Sequence, residues 1–189
     1  VGVIILSLCL TMTAWQFSKY QIDNRSAARF GQSREQTVAL LKERMQKYED
    51  ALWAGVAAVG SHGSDVIGLS EWRTFAQSLR IDEKYPGING IGVIHYVIPE
   101  TLDGYLAARR SERPDFRIHP MHENPEYLPI SFIEPIAINA AAVGLDVAHE
   151  SNRRAAALAS RDTGLAQITG PIVLVQDAGS TPGFLFYAP

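Results

Sequence analysis

The N-terminal segment constrains this chain most, because residues 1–18 (VGVIILSLCLTMTAWQFS) contain no charged side chain. A run of about 18 uncharged residues is long enough to cross a bilayer as a helix. Trp15, Phe17 and Tyr20 lie at its end, where membrane proteins concentrate interfacial aromatic residues. A cleaved signal peptide would have a shorter apolar core and a small-residue cleavage site, and neither occurs before Lys19. The sequence therefore predicts a transmembrane helix over residues 1–18, with a buried core helix as the alternative.

A second helical pattern follows this span without a break. Between Gln16 and about His62 there is no Pro, and apolar residues recur at spacings of three and four. These residues are Leu41, Met45, Tyr48, Leu52, Val56 and Val59. A narrow apolar stripe needs a partner surface, so we predict that residues 19–62 form a long stalk helix that pairs in parallel with the same helix of a second chain. Packing of its distal half on its own domain is the alternative.

Residues 63–189 have the alternating pattern of an α+β domain. The predicted elements are a short helix with Ser70 as N-cap that ends at Leu79, a buried strand Ile88–Ile98, a helix Leu102–Arg110, a strand Phe116–Pro120, an edge segment Glu126–Pro135, a helix Ala148–Arg161 ended by Gly164, and apolar segments Leu165–Val175 and Phe184–Tyr187 around a Gly-rich turn Asp177–Gly183. Irregular connections of this kind favour one antiparallel sheet with short helices over repeated βαβ units.

Composition narrows the possible partners. The formal net charge is -3 and the pI is near 6.0, so no basic surface for a nucleic acid is expected. Cys9 is the only cysteine and lies in the apolar N-terminal run. A disulfide framework and a cysteine-based zinc site are therefore excluded.

The segment HPMHENPE, residues 119–126, has two histidines and two glutamates that suggest a metal site. On a strand, residues three apart point to opposite faces, and Pro120 prevents the helical geometry that would bring His119 and His122 together. We therefore predict a surface turn with solvated histidines, no bound metal and no other cofactor.

Catalytic motifs are weak. Ser61, Ser131 and Ser151 each have a His or Glu close by in the sequence, but none lies in a nucleophile elbow of the G-x-S-x-G type. The glycines of residues 87–92 (GINGIG) lie in a strand-like run without the following helix that dinucleotide binding needs, so they are expected to allow close strand packing. A membrane-tethered hydrolase and a module that only dimerises remain as alternatives to a binding domain.

Several short motifs carry a family resemblance through their order and spacing. They are WRTF at residues 72–75, YPGINGIG at 85–92, FRIHP at 116–120, YLPISFIEP at 127–135, NAAAVGLD at 139–146, and Thr163-Gly164 followed by Ile168-Thr169. Together they resemble CHASE domains, the extracytoplasmic sensors of histidine kinases and nucleotide cyclases that include the plant cytokinin receptors.

The resemblance implies a PAS-like module on a long membrane-proximal helix, a homodimer, and a pocket for a small molecule, either cytokinin-like or another small organic compound. It also implies a periplasmic or extracellular location on the inner membrane, and a second transmembrane helix leading to a kinase or cyclase. The sensor itself is then not an enzyme. Because the chain begins without Met and ends at Phe-Tyr-Ala-Pro, we expect further residues at both ends.

The residues predict one role for Asp146 and the resemblance adds another. Asp146 stands just before a predicted helix, where its carboxylate would cap backbone N–H groups. The resemblance places the ligand-contacting Asp of the plant receptors on Asp146 and a pocket Leu on Ile168. The predicted ligand site therefore contains Asp146, Ile168 and Thr169, with Phe132 and Phe186 as apolar walls.

Overall fold

A computed structural model describes residues 2–61, 67–174 and 182–189 of the chain. The helices are α1 (Gly2–Gly60), α2 (Leu69–Leu79), α3 (Ile81–Lys84), α4 (Leu102–Glu112), α5 (Ile136–Asn139) and α6 (Ser151–Thr163), and short 3₁₀ turns cover Pro99–Thr101, Ala140–Ala142 and Val147–His149. The strands are β1 (Ile91–Ile94), β2 (Ile130–Glu134), β3 (Gln167–Ile168), β4 (Ile172–Val173), β5 (Pro182–Gly183) and β6 (Phe186–Tyr187). The chain divides into two compact units, residues 1–46 and 47–189, and its fold class is α+β as predicted.

Helix α1 runs without interruption from the apolar N-terminal segment to Gly60. It contains an 18-residue window of mean hydropathy 1.2, none of which is buried, so by length and composition this helix could cross a membrane. Val3 is 81% exposed and Leu8 is 64% exposed, so burial within this chain does not account for the apolar composition. The predicted end of the helix at His62 lies outside the described residues.

The last part of α1 packs on the second unit, to which it belongs. Ala51 is buried, and a Cβ added at Gly55 would lie 3.4 Å from Trp72 Cη2 and 3.7 Å from Ile91 Cδ1. Part of the distal half therefore packs on its own domain, the alternative considered above, and pairing with a second chain stays a prediction. Leu41, in the first unit, is 59% exposed.

A first core forms where α2 and α3 cover the β1–β2 pair. Its buried members are Ile67, Trp72, Ala76, Ile81, Ile91 and Phe132. The predicted N-cap of α2 was wrong: the helix begins at Leu69, and Gly68 precedes it. Glu71 supplies the capping interaction, because its carboxylate accepts the Gly68 backbone N–H at 2.7 Å, which leaves no capping role for Ser70.

The central sheet is small and antiparallel. Strand β1 pairs with β2 so that Ile91 lies opposite Glu134 and Gly92 opposite Ile133. A Cβ at Gly92 would lie 2.5 Å from the Phe132 carbonyl oxygen, which confirms that this glycine permits close strand packing. The predicted strand Ile88–Ile98 was too long, since only its middle pairs regularly with β2.

Isolated bridges extend the pairing to further chain segments. Val97 pairs with Tyr127, Pro129 with Asp146, and His119 with Leu145. The predicted strand Phe116–Pro120 was wrong, because His119 makes only a bridge and the Phe116 N–H donates to the Arg113 carbonyl in a turn.

The C-terminal strands do not join the β1–β2 sheet. Strand β3 pairs with β6, and β4 pairs with β5, so the described part of the chain has three two-stranded sheets and not the predicted single sheet. Residues 182–183, predicted as the end of a turn, are β5, and residues 177–181 of that turn lie outside the described residues.

A second core lies around α6 and the turn that precedes it. Its buried members are Leu128, Ile130, Ala142, Leu145, Val147 and Ala148. Helix α6 begins at Ser151, three residues later than predicted, because Val147–His149 is a separate 3₁₀ turn and Glu150 caps α6 by accepting the N–H groups of Asn152 and Arg153. Gly164 ends the helix in the left-handed conformation with φ 68°, as the sequence predicts.

Candidate ligand-binding site

Asp146 is fully buried and caps a turn. Its Oδ1 accepts the backbone N–H of Ala148 at 2.9 Å and that of Leu128 at 2.8 Å. The predicted capping role is confirmed, although the capped element is the 3₁₀ turn Val147–His149 and not α6. The same oxygen also fastens the chain at Leu128, so Asp146 joins two segments of the second core.

His122 completes the environment of this carboxylate. Its Nε2 lies 2.8 Å from Asp146 Oδ2, and its Nδ1 accepts the Asn124 backbone N–H. Because Nδ1 is an acceptor, the ring proton sits on Nε2 and is donated to Asp146. The predicted solvated histidine was therefore wrong for His122, whose side chain is only 9% exposed. The reason is that a buried carboxylate needs donors for its second oxygen.

His119, the other histidine of that segment, is bonded elsewhere, with Nε2 3.2 Å from the Val143 carbonyl oxygen. Among the residues that the structure describes, no group of three or more His, Cys, Asp or Glu side chains is placed to hold a metal ion.

Ile168, Thr169 and Phe186 lie together in the β3–β6 pair. Ile168 is opposite Phe186 and is 47% exposed. Thr169 is buried, and its Oγ1 accepts the Leu185 backbone N–H at 3.0 Å. Helix α6 packs against both this pair and the turn that Asp146 caps.

Phe132 lies in a third environment. It is 3% exposed, belongs to the core around Trp72, and has the Arg109 guanidinium 4.8 Å from its ring centroid. The five predicted site residues thus occupy the Asp146 turn, the β3–β6 pair and the Trp72 core. The structure does not gather them around one cavity, and their contact with a ligand stays a prediction.

A polar cluster that the sequence did not reveal lies next to Phe132, between α4 and the β1–β2 pair. Ser131 Oγ is 2.6 Å from His95 Nδ1 and 2.6 Å from the Tyr105 hydroxyl oxygen. Burial, and after it the nearby Arg109 charge, lowers the pKa of His95 to about 4. Burial raises the pKa of Tyr105 to about 12. Near neutral pH His95 is therefore uncharged and Tyr105 is protonated, so Tyr105 can donate to Ser131 while Ser131 donates to His95.

Arg109 is the charged member of this cluster. It is 8% exposed, and its Nε and Nη1 are buried without a hydrogen-bond partner in the part of the chain that the structure describes. Glu112 Oε2 lies 3.1 Å from Nη1, which is an ion-pair distance, but the contact lacks the direction of a hydrogen bond. A buried guanidinium with free donors is unusual, because such groups are normally satisfied.

A narrow cleft opens beside Arg109. Its lining residues are Leu69, Arg109, Glu112, Arg113, Phe116, Ser131 and Phe132. The room inside it is about 10 Å³, which is enough for about one water molecule. A wider depression of about 270 Å³ shares Arg113 and Phe116 with this cleft and is also lined by Arg117, His119, Ala140, Ala141 and Val143. Among the described residues, none that line it has a buried polar side-chain atom without a partner.

The only sequence signal for this cluster is the spacing of Tyr105 and Arg109, which are four apart on α4 and so share one helix face. Arg109 and Arg110 are adjacent, and composition does not tell which of them is buried. The structure separates them, since Arg110 donates to the Phe116 carbonyl oxygen.

A helix that could cross a membrane, followed by an α+β domain with a polar cleft, has the organisation of the outer part of a membrane receptor. Residues 66–189 match the family model of the CHASE domain, and the chain belongs to this family. CHASE domains are extracytoplasmic sensor domains of receptors, so the resemblance noted in the sequence motifs is confirmed. No match was found for this chain among curated proteins.

Proposed function

We propose that this CHASE domain is the small-molecule-sensing part of a bacterial transmembrane signalling receptor, a histidine kinase or a diguanylate or adenylate cyclase. The α+β module lies in the periplasm or outside the cell and has a PAS-like fold. Helix α1 anchors it in the inner membrane, and two chains pair through their stalk helices. The module binds ligand and is not itself an enzyme. The output domain belongs to the same receptor.

The observation that carries this proposal is a continuous set of packed groups between the cleft and α1. Arg109 lies on the Phe132 ring, Phe132 shares a core with Trp72, and Trp72 touches α1 at Gly55. A ligand that moves Arg109 or Phe132 therefore acts on the core that holds the end of α1. Since α1 is one uninterrupted helix, a displacement at Gly55 reaches the apolar segment without crossing a loop.

The cleft beside Arg109 supports ligand binding better than the Asp146 turn does. Both oxygens of Asp146 are engaged by donors of the chain itself, so a ligand would have to displace His122 or share an oxygen with it. Arg109 instead has, among the described residues, a buried Nε that donates no hydrogen bond, and it lines a small cleft. Unsatisfied donors of this kind are the groups that fix the orientation of a bound molecule in an otherwise apolar site.

The Ser131–His95 contact is the feature that favours the hydrolase alternative, because a nucleophile and a base lie within hydrogen-bond distance. Two properties argue against it. A pKa of about 4 makes His95 a weak base near neutral pH, and Ser131 is 4% exposed. Replacing Ser131 by Ala tests this alternative: a hydrolase would lose ester cleavage, whereas a sensor has no such activity to lose.

Two glycines provide the experiment for signal transmission. A Cβ at Gly55 fits against Trp72 at 3.4 Å, whereas a Leu side chain there does not, and a Cβ at Gly104, in α4, meets nothing within 4 Å. We expect Gly55→Leu to change the output of the complete receptor in cells and Gly104→Leu to leave it unchanged. Gly55→Ala, which fits, serves as a folding control. Equal output from Gly55→Leu and wild type, with both proteins folded, would remove the proposed connection between the core and α1.

A further inference from the structure

We propose that the hydrogen bond between the Tyr48 hydroxyl of α1 and the Pro86 carbonyl is a latch, which holds α1 in one position on the domain and changes the output of the receptor when it opens. The latch is a property of the domain alone, whereas its effect on output rests on the function proposed above.

The turn that contains Pro86 does not use the carbonyl of this residue. The Ile88 backbone N–H donates to the Tyr85 carbonyl at 3.1 Å, which closes a four-residue turn with Pro86 and Gly87 at its centre. Gly87 has φ 100°, a positive value of the kind that a type II turn requires at this position. The closing bond uses the carbonyl of the first residue only, so the Pro86 carbonyl can accept a donor from outside the turn. The Tyr48 hydroxyl is that donor.

The turn also leaves room for the hydroxyl. A Cβ at Gly87 would lie 3.0 Å from the Tyr48 hydroxyl oxygen, which is closer than ordinary van der Waals contact. Glycine therefore serves two purposes at this position, since it adopts the positive φ and permits the approach of Tyr48.

The residues that follow the turn are fixed to the domain. Asn139 is fully buried, and its Nδ2 donates to the Asn89 carbonyl at 2.8 Å and to the Pro135 carbonyl at 2.9 Å. Strand β1 begins directly after this segment. The turn therefore moves with the domain, and the Tyr48 bond ties α1 to a fixed point.

This bond differs in kind from the other contacts that α1 makes with the domain. Gly55 meets Trp72 and Phe75 by apolar packing, which is non-directional and tolerates a small sliding movement of the helix. A hydrogen bond weakens steeply with distance and angle, so a helix shift of about 1–2 Å breaks it. Because the bond lies at an exposed edge, water can replace either partner, and the equilibrium between closed and open positions shifts only about two- to tenfold when the bond is lost.

The first experiment measures the latch in the full chain in detergent. After Cys9→Ser, spin labels on Asp50→Cys and Lys84→Cys, two exposed positions, report the distance between α1 and α3. Tyr48→Phe removes only the hydroxyl, so it should broaden the distance distribution or add a second distance. Tyr85→Phe is the matched control and should leave the distribution unchanged, because the Tyr85 hydroxyl makes no hydrogen bond within the described part of the chain.

The second experiment measures the output of the complete receptor without added ligand, at equal amounts of folded protein. Tyr48→Phe should change this output about two- to tenfold, and Tyr85→Phe should leave it unchanged. Gly87→Ala crowds the hydroxyl and should change the output in the same direction as Tyr48→Phe. The double variant should change it no further than the larger single effect, since one bond can be lost only once.

The possible results separate the latch from the function. An unchanged distance distribution in Tyr48→Phe, or an equal change in Tyr85→Phe, would overturn the latch. Additive effects of Tyr48→Phe and Gly87→Ala on output would show that the two variants do not act through one bond, which also overturns it. Changed distances with unchanged output, in Tyr48→Phe and Gly55→Leu alike, would keep the latch and contradict the function proposed above.

Discussion

Asp146 holds together three segments of the second core through one buried carboxylate. Oδ1 accepts N–H groups from Leu128 and Ala148, and Oδ2 accepts the Nε2–H of His122. If capping were its only role, replacing Asp146 by Asn should hardly change the free energy of unfolding, since Asn and Asp cap almost equally well. The contacts at Oδ2 change this expectation.

We predict that Asp146→Asn lowers the free energy of unfolding by about 1–3 kcal/mol. The amide NH₂ group must face either the two backbone N–H groups or the Nε2–H of His122, so donors oppose donors in both orientations. His122 cannot shift its proton to Nδ1 without losing the Asn124 N–H bond. Chemical unfolding measures the change, with Asp115→Asn, at an exposed position, as the control. Wild-type stability of Asp146→Asn together with lost ligand response would instead favour the predicted ligand contact.

His95 gives stability a pH dependence. Burial and the Arg109 charge lower the pKa of His95 to about 4 in the folded chain, against 6.5 in the unfolded chain. The unfolded state therefore binds this proton first. The contribution of neutral His95 is fully present above pH 6.5 and is lost as the pH falls from 6.5 towards 4, by up to about 3 kcal/mol.

We predict that His95→Gln flattens the stability profile between these two pH values relative to wild type, since Gln has no proton to gain. Unfolding measured at pH 7.5 and at pH 4.5 gives the difference for each protein. All other groups are the same in both proteins, so their contributions cancel in the comparison. Parallel profiles of wild type and variant would mean that His95 is not held neutral.

At the scale of elements, the β1–β2 pair depends on the absence of a side chain at one position. A Cβ at Gly92 would lie 2.5 Å from the Phe132 carbonyl oxygen, and backbone cannot move aside cheaply. We predict that Gly92→Ala destabilises the domain by about 1–3 kcal/mol. Gly104→Ala is the matched control, because it lies in α4 with nothing within 4 Å and should gain about 0.5–1 kcal/mol. Thermal unfolding should show a lower melting temperature than wild type for Gly92→Ala and a higher one for Gly104→Ala.

Helices were easier to predict from the sequence than strands, for physical reasons visible in particular elements. Helix α6 has a local stop signal at Gly164, and α1 has a periodic stripe, so both were found. The strand Ile88–Ile98 was overextended because β-branched content does not say which residues find a partner. His119 and Asp146 make bridges that depend on distant segments and leave no local pattern.

The candidate site was predictable only where its signals are local in the sequence. The capping role of Asp146 follows from its position before a predicted helix, which is local information, although the capped element is a turn. The burial of His122 and Arg109 is decided by contacts with segments far along the chain, at Asp146 and Phe132. A charged residue on a short helix is expected to be exposed. Arg109 is buried because of its tertiary packing, which the sequence does not show.

At the scale of the whole molecule, the apolar stripe of α1 serves two different purposes along its length. Beyond residue 47 the helix belongs to the second unit, where Ala51 and Gly55 are covered by the domain's own core. Val38 and Leu41, in the first unit, are 46% and 59% exposed. Exposed apolar residues on a helix need a partner, so the proposed contact between two chains includes the first unit.

We predict that single cysteines cross-link between chains at Val38, Leu41 and Met45 and not at Ala51 or Gly55. The native Cys9 is first replaced by Ser, because it is exposed and would cross-link by itself. Oxidation in membranes should give dimers with helical periodicity over residues 36–46, as a parallel pair brings the same positions of both chains together. Dimers that form equally at every position would mean that the stalk helices collide without pairing. Dimers that form best at Ala51 and Gly55 would mean that the domain's own core opens in the membrane.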